Sequence, residues 1–272
     1  MAGVTALVIG DVFAGAGVRA VQDALPRLVR EHAPDIVVVN AENAAHGSGT
    51  TPKQAAQILE AGADVLTGGN HTFRRQEFLA TLQDDPRVLR PANLSSRAPG
   101  GGSVVVDARG GFRVGVVNLI GSVFIEAAQS PFAVADDIID RMRRETPLII
   151  VDIHAEATSE KLALARHLDG RVMAVVGTHT HVPTADERVL AGGTAYITDV
   201  GMTGPKNSVI GMERKTIIQR FVTGMPQRFE VARGAVQMDA VLIDVDEQTG
   251  KARGIQRVRR VVDPATGDRI EN

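Results

Sequence analysis

An α/β fold with two mixed sheets packed together and helices outside is what this sequence predicts, on three observations. Short, apolar, β-branched runs alternate with segments of helical spacing through most of the chain. Val104 to Val114 reads as two strands around Gly110-Gly111, an antiparallel hairpin in mid-chain. After residue 226 the helical spacing stops and successive strands follow, so the sheets cannot be purely parallel.

The strands of the alternating part are Thr5 to Ile9, Ile36 to Val39, Val65 to Thr67, Val114 to Leu119, Leu148 to Ile153, Val172 to Val176 and Ala195 to Thr198. They are continuously apolar, as strands covered on both faces are, and turn residues such as Gly, Asn and Asp close them. Between them, residues 18–31, 52–61, 74–83, 131–145 and 159–168 repeat Ala, Leu, Ile and Val at helical intervals. The late strands are Arg228 to Val231, Met238 to Val245 and Ile255 to Val262, with turns at Arg233-Gly234 and Asp246 to Gly250. No linker, low-complexity tract or internal repeat interrupts the chain, so residues 1–272 are expected to form one domain, with the strands after about 226 part of it. A chain of 272 residues, 44% of them hydrophobic, can bury a full core.

Composition excludes several functions. The formal net charge is −2 and there is no basic run, so neither a nucleic-acid duplex nor an anionic membrane is the expected partner. Aromatic residues total 3% and Trp is absent, which argues against stacking platforms for single-stranded nucleic acid. There is no cysteine, so disulfides and thiolates are out and any metal must be held by nitrogen and oxygen. Met1 to Ile9 lacks the charged start of a signal peptide, and no apolar stretch approaches the roughly 20 residues that span a bilayer. A soluble, cytoplasmic protein with a small partner is expected.

The chemistry gathers where strands end, the edge at which open α/β sheets keep their sites. Gly10-Asp11 closes the first strand, Asn40-Ala41-Glu42-Asn43 follows the second, and Gly69-Asn70-His71 the third. His154 and Gly177-Thr178-His179-Thr180-His181 close two later ones. Alone, Asp11 reads as a turn aspartate capping the next helix, and His179 and His181 as two rings sharing a strand face. Together the five ends mix carboxylate, carboxamide and imidazole, whereas a cap needs one short polar side chain. That mixture is metal-ligand chemistry. His32 and His167 lie in charged, helix-like surroundings and read as surface residues. His46 and Thr178 are candidates to touch substrate.

These residues resemble the calcineurin-like metallophosphoesterases, whose motifs run Asp-x-His, Gly-Asp, Gly-Asn-His, His and Gly-His-x-His. Within them the chain is most similar to the YmdB-like branch, through Asn40 to Gly47, Arg90-Pro91-Ala92-Asn93, His154 to Lys161 and Thr198 to Pro205. Phe13 stands where the general motif has its histidine, and Glu42-Asn43 replaces the usual bridging aspartate; that branch shares both substitutions. The resemblance implies a four-layer sandwich of two mixed sheets flanked by helices. It implies that Asp11, Glu42 and His181 bind one metal ion, and that Glu42, Asn43, Asn70, His154 and His179 bind a second, with Glu42 bridging. His71 would be the proton donor. Two carboxylates against two divalent ions leave a local charge of about +2, which suits a phosphate anion. Such a pair, about 3.5 to 4 Å apart, activates a bridging water as hydroxide for in-line attack. The mixed ligands suit iron, manganese or zinc better than magnesium or calcium, and the resemblance favours iron or manganese. It further implies phosphodiester hydrolysis of small cyclic nucleotides, notably 2',3'-cyclic AMP, with the loops Ala155 to Lys161 and Gly201 to Ser208 shaping the pocket, and a dimer or tetramer.

Two other functions compete. Gly15-Ala16-Gly17-Val18-Arg19-Ala20 fits the Gly-x-Gly-x-x-Ala fingerprint of a dinucleotide-binding oxidoreductase, with Glu42 as the ribose acid. Gly15 comes five residues after the strand-closing Gly10, which is late for the tight turn, and the four site histidines are left without a role. A non-catalytic regulator that keeps the metal site and binds a partner is the second.

Overall fold

The computed structural model describes residues 3–127, 129–263 and 269–270. The first sheet starts with β1 (Gly3–Ile9) and the short β2 (Asp11–Val12), followed by helix α1 (Ala14–His32) and β3 (Ile36–Asn40). Helix α2 (Pro52–Glu60) leads to β4 (Val65–Thr67), and a 3-10 turn at Gln76–Phe78 runs into α3 (Leu79–Asp84). The second sheet holds β5 (Ser103–Asp107), β6 (Arg113–Ile120), α4 (Pro131–Met142), β7 (Ile149–His154), α5 (Thr158–His167), β8 (Ala174–Thr178), β9 (Arg188–Val189) and β10 (Ala195–Ile197) in chain order. The chain then returns to the first sheet with β11 (Met202–Pro205), passes helix α6 (Arg214–Thr223), and adds β12 (Val236–Asp246), β13 (Ala252–Val262) and β14 (Arg269–Ile270).

Strand order in the first sheet is β14-β13-β12-β1-β3-β4, with β11 joining β12 to β2; in the second it is β5-β6-β7-β8-β10-β9. Both are mixed: β1, β3 and β4 are parallel, as are β6, β7, β8 and β10, while β12, β13, β5 and β9 pair antiparallel to their neighbours. All parallel strands end at one edge, and that is where the candidate site lies.

Side-chain alternation sorts the apolar residues into layers. Val4, Ala6, Val8, Ile36, Val38 and Ile243 pack against Val114, Val116, Ile150, Val176 and Ile197, forming the core between the sheets. Leu7, Ile9, Val37 and Val39 point to the other face and meet Val18, Val21, Leu25 and Leu28 of α1 and Ile58 of α2. Val117, Leu119, Val151, Ile153 and Tyr196 meet Ile139 of α4 and Leu164 of α5. The sequence of layers is therefore helix, sheet, sheet, helix. Each fully buried Leu or Ile contributes about 1.5–3 kcal/mol, so the continuous apolar strands that predicted two-sided burial are the main stabilising stock.

The predicted α/β architecture and mid-chain hairpin are found, with differences of detail. Arg228 to Val231 forms no strand; only Val231 makes an isolated bridge, to Met212. Its neighbour α6 escaped prediction because only Ile217 of it is buried, so its apolar residues trace no core-facing stripe. The helix expected over 74–83 breaks at the 3-10 turn, and that over 18–31 starts four residues earlier. This last shift removes the dinucleotide reading, since Gly15 and Gly17 sit inside α1 instead of in a strand-to-helix turn. Asp11 caps nothing: it lies in β2, and the cap residue of α1 is Phe13, with no side-chain cap bond. Among the described residues no helix is long and apolar enough to cross a membrane. Met1 and Ala2, part of the N-terminal segment read above, lie outside the described residues.

Gly17 has a packing role that Gly15 lacks. A Cβ at Gly17 would sit 2.3 Å from the Thr203 carbonyl oxygen of β11, whereas one at Gly15 meets nothing closer than an Arg19 nitrogen at 3.6 Å. Gly17→Ala is expected to cost about 1–3 kcal/mol through forced separation of α1 from β11. Gly15→Ala is expected to be neutral or to stabilise by up to about 1 kcal/mol through helix propensity. Urea denaturation of the two variants distinguishes these outcomes, and equal losses would contradict the packing account.

Candidate metal centre

Each strand end delivers one or two polar groups, and a local device holds each in place. Asp11 donates its backbone N–H to the Gly201 carbonyl (3.0 Å), while its Oδ2 accepts the N–H of His179 (3.1 Å). After β3, Asn40 turns back so that its Oδ1 accepts the N–H of Glu42 (3.2 Å), aiming the Glu42 side chain inward. Gly69 follows β4 because a Cβ there would lie 2.2 Å from Glu42 Oε2 and 2.3 Å from His154 Cδ2. The next N–H but one, of His71, donates to Glu42 Oε2 (3.0 Å).

His154, the last residue of β7, is fully buried. The Thr178 hydroxyl donates to Asp152 Oδ1 (2.7 Å), so it accepts from His154 Nδ1–H (2.9 Å). Nε2 is thereby turned to the interior, where it meets Glu42 Oε1 (2.9 Å), Asn70 Oδ1 (3.1 Å) and His179 Nδ1 (3.1 Å). Similarly, the carbonyl of Ile210 takes His181 Nδ1–H (3.1 Å), leaving Nε2 to face Asp11 Oδ1 (3.8 Å) and the Asn43 amide nitrogen (3.0 Å). The oxygen of Asn43 accepts His71 Nδ1–H (2.9 Å).

The turn carrying His179 and His181 departs from ordinary backbone, with φ of 104° and 65°. Non-glycine residues adopt such values only when their surroundings enforce them. The enforcing group is Asp199. Its Oδ2 accepts the N–H (3.1 Å) and hydroxyl (2.9 Å) of Thr180, and its Oδ1 accepts the N–H of Gly201 (2.9 Å). Lys161 Nζ completes it at 2.8 Å, and both side chains are buried.

Charge is balanced by the pairing of these groups. Burial opposes ionisation of Glu42, but His154 and His71 outweigh it and hold its carboxyl well below the usual range. Burial likewise disfavours charge on His154, yet Glu42, Asp11 and Asp152 raise it to about 9. Burial and the charge on His154 push His179 down to about 3, while burial pushes Asp11 up to about 6 against the pull of His181 and His154. Three acceptors therefore converge on His154 Nε2. A proton there can bond to only one of the three acceptors it faces, whereas a multivalent cation held by these residues would be shared among them. Ligand atoms of Glu42, His154 and His179 lie within 4.8 Å of one another, and the donor set of imidazole, carboxylate and amide fits a metal ion.

The structure therefore brings Asp11, Glu42, Asn43, Asn70, His71, His154, His179 and His181 together. His46 is exposed and borders separate hollows beside Gly15, Arg19 and Arg75. Thr178 is fully buried and lies behind His154, its hydroxyl committed to that ring and to Asp152, so it cannot face substrate. Lys161, at the end of a loop expected to shape the pocket, is turned into the core. Phe13 packs edge-on against His181, ring centroids 5.5 Å apart, where the general motif has a ligand. The supporting residues Asn40, Asp152, Lys161 and Asp199 went unrecognised in the sequence. Asp152 had a signal, a carboxylate inside the apolar run Ile149 to Ile153.

The chain is similar to known proteins along most of its length. A family model described as YmdB-like protein matches residues 7–258. The 2',3'-cyclic-nucleotide 2'-phosphodiesterase of Bacillus subtilis is 48% identical over 252 residues, covering 93% of this chain and 95% of that protein. The crystal structure of a phosphatase from Mycoplasma pneumoniae is 37% identical with a TM-score of 0.88, over 97% of this chain and 95% of that one. The calcineurin-like phosphoesterase YfkN from Bacillus subtilis is 12% identical with a TM-score of 0.59, over 99% and 93%, a likeness of fold alone.

Removing one partner of the Lys161–Asp199 pair strands a buried charge. Lys161→Met is expected to lose about 3–5 kcal/mol in urea denaturation. Adding Asp199→Asn removes the stranded charge, so the double variant should be less unstable than the sum of the singles. Strict additivity would show that the two groups do not act as a pair.

Proposed function

The chain belongs to the YmdB-like protein family, and on that premise we propose that it is a metal-dependent phosphodiesterase acting on small cyclic nucleotides such as 2',3'-cyclic AMP. The observation that carries the metal reading is the convergence of three acceptors on His154 Nε2 in a buried pocket. Asp11, Glu42 and His181 would hold one divalent ion, and Glu42, Asn43, Asn70, His154 and His179 the other, with iron or manganese preferred and zinc acceptable. When bound, the two ions supply Lewis-acid charge for in-line attack of water on phosphorus and for the oxygen that departs.

The chain's own residues do the rest. His71 is partly exposed and is fixed from two sides, by Glu42 on its N–H and Asn43 on its Nδ1. Its Nε2 is left to give a proton to the ribose oxygen as the P–O bond breaks. Asp152, through Thr178, keeps His154 in the tautomer that presents Nε2, as outer carboxylates do for ligating histidines. The substrate is small, because the negative chain offers no basic track for a duplex. One domain built on both sheets, a homodimer or tetramer, and a reducing cytoplasmic setting complete the reading, the last supported by the lack of cysteine.

Elemental analysis of purified protein is expected to find close to two iron or manganese ions per chain, removed by a chelator together with hydrolysis of 2',3'-cyclic AMP. One ion per chain would remove the bridging role of Glu42. His71→Ala is expected to keep the metal count and lower kcat by about 10²–10⁴. If protein holding two ions hydrolyses neither a generic phosphodiester nor 2',3'-cyclic AMP, the catalytic reading fails and a binding role stands in its place.

A further inference from the structure

Beside the metal cluster a cleft of about 390 Å³ opens onto Asn70 and His179, and its outer part is lined by Phe73, Arg74 and Phe124. Its volume suits a ligand the size of a mononucleotide. Phe124 is 88% exposed and Phe73 40% exposed. Among only eight phenylalanines and one tyrosine in the chain, two aromatic faces are thus left in water at the mouth of one cleft.

The exposure of Phe124 is built in. Asn93, fully buried, accepts the N–H of Ile120 (2.8 Å) and donates to the carbonyls of Ile120 (2.7 Å) and Gln129 (3.0 Å). Glu160, also buried, accepts the N–H and hydroxyl of Ser122 (both 2.8 Å) and the N–H of Val123 (3.2 Å). Two buried polar side chains, from the segments Arg90 to Asn93 and His154 to Lys161, therefore clamp the loop before and after Phe124. At its apex Phe124 has φ of 66°, a conformation that a bulky side chain avoids unless held. A loop anchored by buried polar groups, strained at its tip and presenting an apolar ring to water, is organised for a ligand and not for its own stability.

We propose that this cleft is a nucleobase subsite, in which the base stacks on Phe124 with Phe73 as the second apolar wall, while the cyclic phosphate lies at Asn70 and His179. The inference rests on the phosphodiesterase reading above. A flat ring with apolar faces and a polar edge matches the lining, since Arg74, Glu126 and Glu156 offer charged partners around the aromatic surface. Stacking on one aromatic ring is a sequence-tolerant contact, so it supports several bases. Because a base stacks alike in ground and transition states, losing it raises KM and leaves kcat little changed.

The test compares 2',3'-cyclic AMP with glycerol 1,2-cyclic phosphate, a five-membered cyclic diester without a base. Phe124→Ala should raise KM for the nucleotide roughly tenfold relative to its effect on the baseless diester, and Phe73→Ala should act in the same direction. An equal change in KM for the two substrates overturns the proposal. Wild-type protein that hydrolyses neither diester fails the phosphodiesterase reading instead, a separate outcome. Since the chain has no Trp, Phe124→Trp also installs a sole indole reporter. Adenosine 3'-monophosphate should quench it at concentrations where glycerol phosphate does not; equal or absent quenching by both counts against the subsite.

Discussion

The carboxylate of Asp199 is the junction on which the site depends. It is taken wholly out of water, which costs several kcal/mol unless every lone pair is matched. Four groups from three parts of the chain match it: the Lys161 ammonium of α5, the N–H and hydroxyl of Thr180, and the N–H of Gly201. Gly201 passes its own carbonyl to the N–H of Asp11. One buried ion pair thus fixes the left-handed turn of His179 and His181, the entry to β11 and the first carboxylate of the cluster. The pair belongs to the geometry of the site more than to net stability, since a well-packed apolar substitute would hold the helix as well.

A second buried carboxylate orders the opposite side. Asp152 accepts from Thr178 Oγ1 (2.7 Å) and Asn40 Nδ2 (3.1 Å), and from the Thr67 hydroxyl, linking the ends of β3, β4, β7 and β8. Through Asn40 it sets the direction of Glu42, and through Thr178 the tautomer of His154. Such outer partners matter because ligand atoms that repel one another do not converge unaided; the scaffold must hold them before a cation arrives. The continuous apolar strands supply the rigidity, and their common carboxyl edge supplies the meeting place.

Outside this frame apolar side chains reach water in several places, along α6 at Ile218, Phe221 and Val222 and at the mouth of the cleft. The loop bearing Phe124 is tied down by Asn93 and Glu160 yet leaves its ring in water, whereas Phe13, two residues after a site aspartate, is sealed against His181. The same side chain is enclosed in one place, by His181 and the backbone at Gly47 and Gly211, and left open in the other.

Much of this was legible beforehand. Apolar continuity in runs such as Ile36 to Val39 and Leu148 to Ile153 determined strands, since only two-sided burial favours it, and polar residues at their ends determined where the chemistry gathers. The match of Glu42-Asn43 and its companions to known motifs determined the family. What the chain order could not express was pairing between distant groups: Lys161 with Asp199, Thr178 with His154 and Asp152, Asn93 with the loop of Phe124. Short strands such as β2 and β11 and the exposed helix α6 escaped for a related reason, because their stability comes from neighbours and not from their own periodicity. Local pattern reports what a segment must bury, and only the tertiary structure decides which buried polar group satisfies which other, because that choice is made by distances between strands far apart in sequence.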